Sequence, residues 1–169
     1  IYRLYLQDDL SRSDARPPML YAGIEIFGRY PIFLGDGRIA YNGCNYWQNG
    51  SICGVYVMST DGAQPTNATG WPGDIPTDNL GSRILFMSDR AGSWDIYSMT
   101  PDGGDLMQLT DLPGVEGLAT ASPDGSNIAY LTNQDGVWSF YVMRTDGSDI
   151  RKIFDLPGNF GRGDYDWFQ

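Results

Sequence analysis

The 169-residue chain contains no histidine. That removes the usual general base near neutral pH, the Ser-His-Asp triad, the Cys-His pair and most transition-metal sites. No run of about 18 apolar residues occurs, so no segment reads as a membrane-spanning helix. Basic residues are in the minority: 11 Lys and Arg stand against 21 Asp and Glu, a formal net charge of −10. A nucleic-acid partner needs a basic face to displace counterions, and this balance argues against one, as it does against an anionic membrane surface. The acidity suits solubility or a cationic partner. No charged-then-apolar leader opens the chain. The first residue is Ile1 rather than Met, so the natural N-terminus is expected to lie elsewhere.

What is abundant is turn chemistry. Gly occurs 22 times and Pro 10 times, which favours many turns over long helices. Three segments line up: Tyr56 to Gly62, Tyr97 to Gly103 and Tyr141 to Gly147, each an apolar strand running into an Asp-Gly step. Asp61, Asp102 and Asp146 recur 41 and 44 positions apart. A second element precedes each one, at Arg38 to Tyr41, Arg83 to Phe86 and Asn127 to Tyr130, and its Ile39, Ile84 and Ile128 are 45 and 44 apart. Two markers thus share one period. Apolar residues alternate or cluster over short windows with no sustained helical spacing, so each unit reads as strands joined by turns. Short strands follow at Leu106 to Thr110 and Ile150 to Phe154, and Leu112-Pro113-Gly114 and Leu156-Pro157-Gly158 close the units. Four strands in about 44 residues is β-propeller geometry.

The run Ser122-Pro123-Asp124-Gly125-Ser126-Asn127-Ile128-Ala129-Tyr130, followed by Tyr141 to Gly147, resembles the WD-like repeat with a Pro-Asp core found in TolB-like propellers. The unit Gly81 to Thr110, with Ser88-Asp89-Arg90 and Leu109-Thr110, is similar. The first unit departs, because Gly35-Asp36-Gly37 stands where Ser-Pro-Asp-Gly is expected. The resemblance spans roughly 35 to 158. It implies an all-β propeller of four-stranded antiparallel blades, six or more in full. Blades are expected at 35–73, 74–114 and 115–158. A partial blade and connection is expected at 1–34 and the start of another at 159–169. Such propellers are implied to be mainly extracytoplasmic bacterial scaffolds or sensor modules, sometimes attached to enzymes or kinases. Three blades and two fragments would leave sheet edges bare, so other subunits or a longer chain are expected to cover them.

Cys44 and Cys53 fall in the hairpin of the first unit. If Tyr41 faces Tyr56, the constant register of an antiparallel ladder sets Cys44 opposite Cys53. It sets Asp89 opposite Trp94 and Asn133 opposite Trp138 in the other units. A structural disulfide is expected, and with it an oxidising compartment (periplasm, cell surface or secretion). Two Cys without His make a poor zinc site.

The tip of that hairpin carries Asn45, Tyr46 and Trp47, which either pack over a neighbouring blade or anchor a protein or glycan. These three and Arg90 are the candidate binding residues. Trp94 and Trp138, at one repeat position, read as packing residues. The Asp-Gly steps lack the EF-hand spacing and read as turns. No metal, cofactor or catalytic residue is assigned. Were the chain or its parent an enzyme, such as a glycosidase, lyase or peptidase-associated propeller, Asp89, Asp95 and Glu116 would be the acids to test. Asn49 and Asn67 head glycosylation sequons. Asp8 to Pro18 reads as an extended loop, and Arg12, Arg16, Arg151 and Arg162 as solvated surface. The expected function is a non-catalytic scaffold for protein–protein interaction. The alternatives are a carbohydrate- or ligand-binding sensor, or the propeller domain of a larger hydrolase or kinase.

Overall fold

The computed structural model describes residues 4–6, 12–15, 20–21, 24–47, 50–60 and 65–157, with side chains described at 28–44, 52–60 and 65–157. Every regular element among them is a β-strand. Strands β1 (Leu4–Leu6) and β2 (Arg12–Ala15) form a two-stranded pair. Strands β3 (Leu20–Tyr21), β4 (Ile24–Phe33), β5 (Ile39–Trp47), β6 (Gly50–Met58) and β7 (Thr66–Asn67) form the first large sheet, in that order. The second sheet holds β8 (Ile75–Leu80), β9 (Arg83–Ser88), β10 (Asp95–Met99) and β11 (Met107–Gln108). The third holds β12 (Glu116–Ala121), β13 (Asn127–Thr132), β14 (Ser139–Arg144) and β15 (Arg151–Asp155). All pairings are antiparallel between chain neighbours, so this is an all-β fold of propeller blades in meander order.

The middle strands are apolar on both faces because a sheet stacks on each side. From the second sheet, Ile84, Phe86, Tyr97 and Met99 pack with Ala40, Val55 and Val57 of the first. Leu85, Ile96 and Leu109 point the other way, into a core with Ile128, Tyr130, Tyr141 and Met143 of the third. Continuous burial of β9 and β10 therefore replaces the alternation of a one-faced sheet.

The Asp-Gly turns do more than reverse the chain. A Cβ on Gly103 (φ +85°) would stand 2.1 Å from the Ala68 carbonyl oxygen, and one on Gly147 (φ +83°) 3.0 Å from that of Leu109. Each turn thus seats its backbone on the outer segment of the preceding blade, where only Gly fits. Asp102 accepts from the Thr100 hydroxyl and Gly104 N–H, and Asp146 from the Ser148 N–H and hydroxyl.

Two expectations change. The first sheet includes β4, so it reaches back well before residue 35. The Tyr30-Pro31 step interrupts the backbone, with Tyr30 at φ 53° and a register shift between Arg29 and Ile32, and it hides a ten-residue strand from an alternation reading. The Asp8 to Pro18 loop contains β2, which pairs with β1. Pairing of backbone groups needs no apolar pattern, which is why Arg-Ser-Asp-Ala gave no strand signal. The partial blade expected at 159–169 and the Asp61-Gly62 turn lie outside the described residues.

Candidate functional site

Two places bring functional groups together: the inner edges of the three sheets, and the seam between the second and third.

Strands β8 and β12 are the first strands of their sheets, β4 is flanked beyond only by the two-residue β3, and each of the three carries a register shift at its middle. Tyr30 and Leu118 take up the irregularity at positive φ, both 53°. The three strands converge on a cavity of about 310 Å³ walled by Tyr30, Pro31, Ile75, Pro76, Leu118 and Ala119, with Thr77 and Thr120 as its hydroxyls. Asp78 clamps this region. Its carboxylate accepts from the Thr120 hydroxyl at 2.7 Å and the Ala121 N–H at 2.9 Å, tying two inner strands together.

Buried acids sit at the starts of β8, β10 and β12. Asp74, Asp95 and Glu116 all have zero exposure. Asp74 and Glu116 occupy one repeat position, just before or at the start of the inner strand. Asp74 is paired with Arg90, whose Nε also donates to the Ser88 hydroxyl at 3.1 Å. The guanidinium lies 5.5 Å from the centre of the Phe86 ring and 5.2 Å from that of Tyr97. Glu116 has no such cation. It accepts from the Thr132 hydroxyl at 2.7 Å and stands within hydrogen-bonding reach of Asp95, which accepts from Ser93 at 3.0 Å. Burial pushes Glu116 up to about 7, with the neighbouring Asp95 adding to the rise, and burial also raises Asp95.

These placements show what several sequence candidates contact. Arg90 was expected to face a partner, yet its charge is spent on Asp74, because a carboxylate with no solvent contact requires a cation or a proton. Asp95 and Glu116 meet, but beneath the surface, where a polymer substrate has no access. Asp89 is apart from them, accepting from the Trp71 indole N–H at 2.7 Å. Asn67 cannot present its amide to a glycosylating enzyme as folded: its Nδ2 is buried, and the Thr69 hydroxyl of the sequon accepts from the Val55 N–H. The side chains of Asn45, Tyr46 and Trp47, and residue Asn49, lie outside the described residues. The turn carboxylates are committed locally. Hydroxyl and N–H donors within their own turns hold Asp102 and Asp146 below the usual range and take Asp124 to about 2. Asp74 and Trp71 were missed by sequence reasoning. The available signal was an acid opening the inner strand in two successive repeats.

The disulfide is present. Cys44 and Cys53 are bonded, directly opposed in the β5–β6 ladder three pairs beyond Tyr41 and Tyr56.

No protein-family model matches the sequence, and no curated protein matches it. Solved structures do share the fold. A TolB described as putative, from Agrobacterium tumefaciens, aligns at 24% identity and a TM-score of 0.64, covering 78% of this chain and 50% of its own. TolB from Acinetobacter baumannii aligns at 19% and 0.61, covering 88% and 36%. An oligogalacturonate lyase in complex with manganese aligns at 12% and 0.58, covering 82% and 44%. The chain therefore spans half or less of the length of these structures. Its fold is that of a TolB-like β-propeller, shared by proteins both with and without an enzyme's name.

Proposed function

We propose that this chain is a non-catalytic propeller scaffold that binds protein, in an extracytoplasmic assembly. The observation that carries the reading is the apolar outer flank of the third sheet, exposed among the described residues. Leu109 and Thr110 of the second sheet are 6% and 3% exposed, because the third sheet and its Gly147 turn cover them. Their repeat equivalents Ile153 and Phe154 are 52% and 51% exposed, and Val137 and Ile150 of the same unit are exposed as well. Phe154 stacks on Phe140 of its own sheet, at 5.0 Å between ring centres. An apolar strip of this kind marks an interaction surface, and the repeat states its shape: it suits the glycine-bearing turn of another blade, in a further length of chain or in another subunit. The Cys44–Cys53 disulfide supports an oxidising location. The TolB structures favour a protein-binding role by analogy of fold.

Analytical ultracentrifugation of the chain and of an Ile153→Lys/Phe154→Lys variant tests this. Self-association of the wild type, abolished in a variant with unchanged circular dichroism and an intact disulfide, supports it. A wild type that stays monomeric at high micromolar concentration removes the flank as its basis.

A ligand-sensing role is the second reading, favoured by the 310 Å³ cavity at the inner strands, a volume at the small end for ligand sites. Ligand-induced thermal stabilisation lost in Leu118→Arg would support it over the scaffold.

A further inference from the structure

The repeat places one buried acid at each of two seams and neutralises them differently. In the second sheet, Arg90 follows Ser88 by two residues, donates its N–H to the Ser88 hydroxyl at 3.3 Å, and neutralises Asp74. In the third sheet, Gln134 follows Thr132 by two residues and donates its N–H to the Thr132 hydroxyl at 3.1 Å. The turn is the same, but the cation is gone. Glu116, at the place of Asp74, faces a second acid instead, because Asp95 of the preceding sheet stands where the first sheet has Gly54.

Both carboxyls have zero exposure, and Asp95 Oδ1 and Glu116 Oε2 are left without a hydrogen-bond donor. Among the described residues, the groups facing them supply no positive charge. Asp111, beyond β11, adds negative charge to Asp95, and Tyr97 of β10 and Tyr130 of β13 are the neighbouring phenols. Arg90 is held by Asp74, 5.2 Å from the centre of the Tyr97 ring. A single proton between the two carboxyls satisfies both orphan oxygens and leaves one charge rather than two.

We propose that Asp95 and Glu116 form a proton-operated latch between the second and third sheets. While the pair shares a proton it bonds the sheets together. When the proton is lost, two like charges face each other in a place water does not reach, and the seam loosens. The linkage has a definite sign. The folded-state affinity for the proton exceeds that of the unfolded chain, where Glu titrates near 4.5. The latch is therefore fully engaged below that pH and is lost as pH rises through about 7. The Glu116 N–H, bonded to the Trp94 carbonyl across the seam at 2.7 Å, is a built-in reporter.

The test is a carboxyl carbon-13 titration of the full chain, with hydrogen exchange at Glu116. The Glu116 carboxyl is expected to titrate near neutrality. Gln134→Arg, which restores the missing cation, is expected to lower that midpoint by about one unit or more, a roughly tenfold weaker hold on the proton. Exchange at the Glu116 amide, corrected for its intrinsic pH dependence, is expected to rise roughly tenfold or more from pH 5 to 8.5 relative to Tyr141. Glu116→Gln, which donates permanently to Asp95, is expected to flatten that rise. Midpoints below 5 for both carboxyls overturn the proposal, as does a rise in exchange that Glu116→Gln leaves unchanged. The titration is read on wild-type protein, so it decides the matter even if a variant fails to fold.

Discussion

Replacing Arg90 by Met separates a structural cation from a partner-binding one. The side chain does three things: it pairs with Asp74, bonds the Ser88 hydroxyl and lies over Phe86 and Tyr97. Met keeps much of the apolar contact with the rings and removes the charge. Asp74, with no exposure and an Oδ1 already lacking a donor, is then a buried carboxylate without compensation. Removing one member of a buried pair costs about 3–5 kcal/mol. With a urea slope of roughly 2 kcal/mol per molar, the unfolding midpoint should fall by about 2 M. Neutralising the acid as well, in Arg90→Met/Asp74→Asn, should recover at least half the loss. Arg90→Lys should fall between, since an ammonium keeps the charge but not the planar fork that spans Asp74 and Ser88. Urea titrations followed by tryptophan fluorescence give all four values. A loss below about 1 kcal/mol in Arg90→Met, or a double variant no better than the single, would refute the reasoning. Unchanged unfolding together with lost partner binding would return Arg90 to the binding residues.

Two further outcomes follow from the described contacts. Reducing the Cys44–Cys53 bond, or making Cys44→Ser/Cys53→Ser, should lower stability by about 2.5 kcal/mol, the chain-entropy value for so short a loop, with a sequence separation of 9; identical urea curves with and without reductant would show that the hairpin needs no staple. Gly103→Ala should cost about 2 kcal/mol or more, because a Cβ there meets the Ala68 carbonyl, whereas Gly125→Ala, at φ +69° with nothing within 4 Å, should cost only the backbone strain of about 1 kcal/mol; equal losses at the two glycines, read from thermal unfolding, would mean that the turns do not seat on the preceding blade.

The parts legible in the sequence were those governed by a single period. Two markers repeating about every 44 residues define four-stranded units, and an antiparallel hairpin has constant register. Placing Tyr41 opposite Tyr56 was therefore enough to place Cys44 opposite Cys53. The parts that were not legible depend on how one repeat lies on the next. Asp95 and Glu116 are 21 residues apart in sequence, on neighbouring sheets, and no period relates them. Arg90 lies in a conspicuous Ser-Asp-Arg step and reads as a candidate binding residue until the fold sets buried Asp74 against it. Even so, comparing equivalent positions across repeats carries more than comparing them with an average domain. The column holding Asp74 and Glu116 is acidic in an otherwise apolar setting. Two residues past the Ser88 and Thr132 hydroxyls stands Arg in one repeat and Gln in the other. A buried acid that keeps its place while its cation disappears must find another neutraliser, and Asp95 across the seam leaves the proton as the one at hand. Equivalent blades can thus give one seam a fixed ion pair and the next a titratable one, and that difference is written in Arg90 and Gln134.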